Sequence, residues 1–205
     1  MTDFNFICIG AHTGYWIDDY IKRNYQKKIL LVEPVKYNVL ELKKKYSHIN
    51  NIYIENSAVS DKDKKINFYH IKEDSIVKLK KHWASGIGSF SKDHILSHYT
   101  KRFKVQEEDI ETKELECISF MNLAKKYSVK KIDLLQIDVE GQEFKILSSI
   151  DYNQIFIKEI IFEKKHLDGP FQTGDKFNKL KEILIKNDYK ISDLDGDNCS
   201  AIKKL

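Results

Sequence analysis

The chain has 205 residues, 41% of them hydrophobic and 12% aromatic, which suits one domain with a sizeable core and excludes a disordered polar segment. Its net charge of +4 is carried almost wholly by lysine, since Arg23 and Arg102 are the only arginines. That scarcity argues against a nucleic-acid partner recognised through bidentate arginine contacts.

In chain order the pattern predicts a strand over 4–9, a helix over 14–24, a strand over 29–33, a helix over 36–46 and a strand over 52–58. The second helix would bury Tyr37, Leu40, Leu42 and Tyr46, which recur near a 3.6-residue period. This alternation implies right-handed βαβ units and a parallel sheet. Residues 66–71 read as an extra strand paired near the third. The stretch 72–103 shows no sustained period and is expected to be a substrate-facing insertion. A strand follows at 112–118, then a helix near 119–127, a strand at 132–137, a helix at 142–149 and a strand at 157–162. A helix at 173–187, striped by Phe177, Leu180, Ile183 and Leu184, leads to a hairpin around the Asp195-Gly196 turn. The expected architecture is α/β, a mostly parallel sheet closed by an antiparallel hairpin, in a single domain over 1–205.

No apolar run approaches the roughly 18 residues of a membrane span, and no apolar leader precedes the first strand, so the cytoplasm is the expected location. Cys8, Cys117 and Cys199 lie far apart without a C-x-x-C pair. That spacing argues against a disulfide framework or a cysteine-based zinc site.

Five strand ends carry the chemistry. Gly10 and Gly14 bracket the first turn as G-x-x-x-G, where glycine permits a sharp turn and close approach to a ligand. His12 breaks the G-x-G-x-x-G spacing of a dinucleotide turn, which argues against a nicotinamide-dependent oxidoreductase. Glu33, before Pro34, stands about 20 residues past that turn, where an acid can accept hydrogen bonds from ribose hydroxyls. Ser57 and Ala58 are small enough to let a flat purine lie against the third strand.

Asp138 and Glu140, two apart at the end of the fourth long strand, would share a side in extended geometry. Neighbouring carboxylates raise one another's pKa and can supply a general base. His166, after the fifth, is a further candidate proton acceptor. A metal-assisted variant is open, with Asp138, Glu140 and Glu163 as hard oxygen ligands for magnesium.

Gly10-Ala11-His12-Thr13-Gly14, Glu33-Pro34, the run from Ser57 to Asp61, Ser89 and above all Ile137-Asp138-Val139-Glu140-Gly141 with Glu143 and Leu147 together resemble the FkbM family of S-adenosylmethionine-dependent O-methyltransferases. The resemblance covers nearly the whole chain. It implies a seven-stranded Rossmann-like methyltransferase fold with helices on both faces, S-adenosylmethionine as donor, and a sugar or glycan hydroxyl as acceptor. Gly10, Ala11, His12, Thr13 and Gly14 would then contact the methionine part, Glu33 and Pro34 the ribose side, Ser57 and Ala58 the adenine, and Asp138 with Glu140 the methionine or the reacting hydroxyl. The chain departs from the family pattern at Cys8, where an acid is usual. A non-catalytic donor-binding module is the alternative from another class.

Overall fold

The computed structural model describes residues 2–100 and 103–204; Lys101 and Arg102 of the expected insertion lie outside them. The chain runs β1 (Thr2–Ile9), α1 (Asp18–Asn24), β2 (Ile29–Val32), α2 (Lys36–Tyr46), β3 (Ile52–Glu55), β4 (Ala58–Ser60), β5 (Lys64–Ile71), α3 (Glu73–Leu79), β6 (Gly88–Ser89) and α4 (Lys92–Ser97). It continues with β7 (Ile110–Ser119), α5 (Phe120–Lys126), β8 (Val129–Ile137), α6 (Glu143–Ser148), β9 (Phe156–Glu163), α7 (Asp175–Lys186), β10 (Tyr189–Asp193) and β11 (Asn198–Lys203).

The main sheet has seven strands in the order β10-β11-β9-β8-β1-β2-β3. Its middle is parallel, and β11 runs antiparallel to both β9 and β10, so the expected closing hairpin is present. Both faces are covered, which is why the central strands read as continuous apolar runs. Alternation splits them between two cores. Cys8, Ile29 and Leu31 face Ile17, Ile21, Leu42 and Tyr46 from the α1 and α2 side, whereas Ile7, Ile9, Leu30 and Val32 share a core with Phe120, Ile146, Leu147, Leu180 and Leu184.

Several expected boundaries shift. The first helix begins at Asp18 rather than near 14, because the chain first turns through Gly14 in the left-handed region at φ 74°. In α2 the buried face is Asn38, Val39, Leu42 and Tyr46; Leu42 and Tyr46 are buried as expected and Tyr37 half-buried, while Leu40 is 57% exposed and Val39 takes its place. The strand expected over 52–58 splits into β3 in the main sheet and β4 in a second sheet.

That second sheet is the largest departure. Strand β5 does not pair with β3; it runs antiparallel to β7 over Lys64–Ile71 and to β6, in a four-stranded sheet ordered β4-β7-β5-β6. The insertion, expected to lack order, holds α3, a 3₁₀ turn at His82–Gly86, β6 and α4. Its elements are too short to show a period, yet Ile71, Leu79, Ala84, Ile87, Ile95, Phe103, Val105 and Ile110 form a small core of their own. No helix among the described residues is long and apolar enough to cross a membrane.

Candidate active site

The carboxyl ends of β1, β2 and β8 open onto two adjoining clefts, as ligand sites in open α/β sheets do. The first is lined by Gly10, Glu33, Pro34, Ser57, Ala58 and Asp138, with Phe68 and Phe90 contributed by the second sheet and the loop after it. The second holds His12, Tyr15, Trp16, Trp83, Lys165 and Phe171. Gly10, Glu33, Asp138 and Glu140 line both clefts. Glu33 and Asp138 therefore face one crevice.

Gly10 has φ 88°, and a Cβ there would lie 1.7 Å from the carbonyl oxygen of Asp138. Only glycine lets the end of β1 pass so close to the end of β8. Of the other residues of that turn, His12 lines the second cleft, but Ala11 is wholly buried in the core and Thr13 and Gly14 line neither cleft. Cys8 also points away from the clefts, into the core beside Ile17 and Ile21.

Glu33 is 5% exposed. One of its oxygens accepts the His12 backbone N–H at 2.9 Å, and the other accepts the Val35 N–H at 2.9 Å and the Asn38 amide at 3.2 Å. A carboxylate has about four acceptor positions, so roughly one is left for a ligand hydroxyl. Burial pushes Glu33 up to about 7 against these three bonds. Nearby, the Ser57 hydroxyl oxygen is buried with no hydrogen-bond partner among the described residues.

Strand β8 ends at Ile137, and the next four residues form a tight turn rather than extended chain, with Glu140 at φ 54° and Gly141 at φ 102°. Asp138 and Glu140 thus meet because the backbone folds over, not because a strand alternates. Ser89 of the insertion ties down this turn by donating to the Glu140 carbonyl at 3.2 Å. Glu143, wholly buried, braces it from below by accepting the Val139 N–H at 2.8 Å and the Gly141 N–H at 2.9 Å. Asp138 is half-buried, and its carboxylate accepts no hydrogen bond among the described residues. Burial and then the charge of Glu140 push it up to about 7. Burial acts to raise Glu140 too, but the hydrogen bond and charge of His94, with the charges of His166 and His98, leave it below its usual value.

His166 lines neither cleft. It is buried behind Glu140, with its Nε2 3.4 Å from Glu140 Oε2, and burial lowers it to about 4. Two further imidazoles, missed in the sequence reading, share that carboxylate: His94 at 2.8 Å and His98 at 3.9 Å. The signal for them was the H-x-x-x-H spacing at 94 and 98, hidden in a stretch without periodicity. Glu163 pairs with Lys165 at 2.5 Å on the rim of the second cleft.

The buried acids dictate a pH response. Burial raises Glu143 to about 8 and Glu33 to about 7, so between the ordinary carboxylate range and those values the folded chain holds more protons than the unfolded one. Stability from these groups is complete at acidic pH and is lost as pH rises through 7 to 8, at up to about 1.4 kcal/mol per pH unit for each. Urea unfolding of the ligand-free protein from about pH 5 to pH 8 is expected to show this decline, flattened in Glu143→Gln. A rising profile would contradict it.

The family model described as the methyltransferase FkbM domain matches residues 9–191. No curated protein matches the sequence significantly. Among solved structures, the Methanococcus jannaschii fibrillarin pre-rRNA processing protein is 14% identical, with a TM-score of 0.50 over 98% of this chain and 66% of that one. The Bacillus cereus O-methyltransferase in complex with SAH is 10% identical, with a TM-score of 0.49 over 97% of this chain and 74% of that one. The Aeropyrum pernix fibrillarin with natively bound S-adenosyl-L-methionine is 11% identical, with a TM-score of 0.47 over 97% and 66%. At 14% identity the likeness to the Methanococcus jannaschii protein is one of fold alone. This chain spans about two thirds of the length of the fibrillarin chains.

Proposed function

This chain belongs to the methyltransferase FkbM domain family, and we propose that it is an S-adenosylmethionine-dependent methyltransferase whose acceptor is a hydroxyl of a sugar, glycan or related small metabolite. The observation that carries this reading is Asp138: a half-buried carboxylate with no hydrogen-bond donor among the described residues, shared by the two clefts.

The residues present fit the donor. The first cleft offers an apolar slot between Val59, Phe68 and Phe90, with the unpartnered Ser57 hydroxyl for a purine edge and Glu33 for a ribose hydroxyl. Gly10 and Pro34 leave room beside them. Glu33, Asp138 and Glu140 surround the junction of the clefts with negative charge, which suits a sulfonium and an ammonium group. Of the residues assigned to the donor, Ala11, Thr13 and Gly14 would act by shaping the turn.

S-adenosylmethionine supplies an electrophilic methyl group on a good leaving group. What remains for the chain is alignment, exclusion of water and removal of one proton. Asp138 would accept the proton of the acceptor hydroxyl at the junction of the two clefts. Glu140, held by imidazoles, keeps Asp138 basic by its charge. His166 is too enclosed to meet an acceptor and acts on Glu140 instead.

The acceptor would occupy the second cleft, where Tyr15, Trp16, Trp83 and Phe171 supply aromatic faces among Glu163, Lys165 and His98. Aromatic faces pack on the C–H faces of a sugar ring while charged groups hold its hydroxyls. Trp83 and His98 come from the insertion, which supports reading 72–103 as acceptor-facing within one domain. Three free cysteines suit a reducing compartment and support a cytoplasmic location. The scarcity of arginine supports a small-molecule or glycan acceptor over nucleic acid.

Incubation with S-adenosylmethionine and a panel of sugars and glycosides, followed by mass spectrometry for a one-methyl gain, tests the reaction. Donor binding without any methylated product would favour a non-catalytic module. Glu33→Gln is expected to weaken S-adenosylhomocysteine binding about 10- to 100-fold, the loss of one charge-assisted hydrogen bond of roughly 1.5–3 kcal/mol, with kcat preserved at saturating donor. Calorimetric titration measures this, and unchanged affinity would remove Glu33 from the donor site.

A further inference from the structure

Behind the cleft, three segments far apart in sequence meet at one carboxylate oxygen. His94 lies on α4 and His98 caps it, so the two imidazoles project from one side of the helix at a four-residue interval. Their Nε2 atoms are 3.4 Å apart. Glu140 arrives from the turn after β8 and His166 from the loop after β9. Glu140 Oε2 is 2.8 Å from His94 Nε2, 3.9 Å from His98 Nε2 and 3.4 Å from His166 Nε2. All four atoms lie within 4.8 Å of one another.

Hydrogen bonding alone does not account for this gathering. One carboxylate oxygen serves three imidazoles, and the His166 Nε2, on a side chain at 0% exposure, has no hydrogen-bond partner among the described residues. Its tautomer is set from the other side: His166 Nδ1 accepts the Phe171 N–H at 3.0 Å. A neutral ring then carries its proton on Nε2, so His166 presents an unused donor to the middle of the cluster. It is suited to an oxygen there, not to a metal ion.

His94, His98 and Glu140 have the complementary character. Two imidazole nitrogens and a carboxylate oxygen, bound to an ion at about 2.0–2.2 Å each, would stand roughly 3.4 Å apart, and the observed separations of 2.8, 3.4 and 3.9 Å bracket that value. We propose that His94, His98 and Glu140 form a binding site for a divalent transition-metal ion, open on the side where the His166 Nε2–H awaits an oxygen ligand. Imidazoles favour zinc and its neighbours over magnesium or calcium, and two histidines with one carboxylate leave at least one position free. His98 and Glu140 also line the second cleft, so the ion would sit directly behind the wall of that cleft. This site differs from an all-carboxylate magnesium site of Asp138, Glu140 and Glu163, because it draws its selectivity from α4.

The test is made on the whole protein, stripped with chelator and dialysed, without donor or acceptor, so its failure leaves the methyl-transfer reading intact. Calorimetric titration with zinc is expected to show one ion per chain, and cobalt(II) is expected to give the visible absorption bands of a low-symmetry, nitrogen-liganded site. His98→Ala, checked for folding by its melting curve and its S-adenosylhomocysteine binding, should lower zinc affinity at least about 100-fold. Azide should shift the cobalt bands by taking the free position. Absence of stoichiometric zinc and cobalt binding would overturn the proposal, as would undiminished zinc affinity in both His98→Ala and His94→Ala. Cobalt bands indifferent to azide would overturn the open position.

Discussion

Asp138→Asn is expected to cut turnover by about 10²- to 10⁴-fold, the usual contribution of a positioned general base, while the protein stays folded and still binds S-adenosylhomocysteine. The physical reason is local. Among the described residues the Asp138 carboxylate has no hydrogen-bond donor to lose, and the amide that replaces it carries no charge to desolvate beside Glu140. Its melting temperature near pH 8 should therefore equal or exceed that of the parent, because burial and Glu140 hold the aspartate up to about 7 and its ionisation weakens the fold. Turnover comparable to the parent would refute the assignment of the base, and lost donor affinity would reassign Asp138 to the donor's amino group.

Gly10→Ala should do the opposite, damaging the scaffold more than the chemistry. Its added carbon would meet the Asp138 carbonyl oxygen at 1.7 Å, at a backbone φ of 88° that an L side chain rarely adopts. Left-handed backbone costs about 1–2 kcal/mol and overpacking against an immobile group about 1–3 kcal/mol more. A loss of about 2–5 kcal/mol in urea unfolding is expected, with donor affinity falling because β1 and β8 can no longer meet. Gly196→Ala is the control: nothing lies within 4 Å of a Cβ there, and its stability should change by less than about 0.5 kcal/mol. Equal effects at both positions would show that the strand junction is not the constraint.

The main sheet was legible because its strands are buried on both faces and its helices are striped. Residues 29–33, 36–46 and 132–137 announced themselves by composition and period, and the hairpin by its D-G turn. The partner of β5 was not legible. Its alternation identifies a strand but not the strand beside it, and β7 lies about 40 residues further on across the insertion. The order within the insertion was hidden because α3 and α4 are 7 and 6 residues long, under two turns each.

In the crevice, Glu33 and Asp138 were found from their places at strand ends, a rule that needs only the sheet. The geometry joining Asp138 to Glu140 was not, since a left-handed Glu140 has no sequence signature. His94 and His98 stayed unseen for a related reason: two histidines one turn apart are informative only if the segment is known to be helical. Their meeting with His166 depends on how α4 sits over the end of β9. That placement rests on the small apolar core around Ile71, Ile95 and Phe103.

The three cysteines lie in three different parts of the fold: Cys8 in β1 at the heart of the main sheet, Cys117 in β7 of the second sheet, and Cys199 in β11 of the closing hairpin, each at most 3% exposed. Burial raises the pKa of every one of them, so in the native molecule none is a ready nucleophile. Each sulfur becomes reactive only when its own neighbourhood opens. The chain thus carries three internal clocks, and the pace at which a thiol reagent consumes them reads out how firmly the main sheet, the second sheet and the hairpin are each closed.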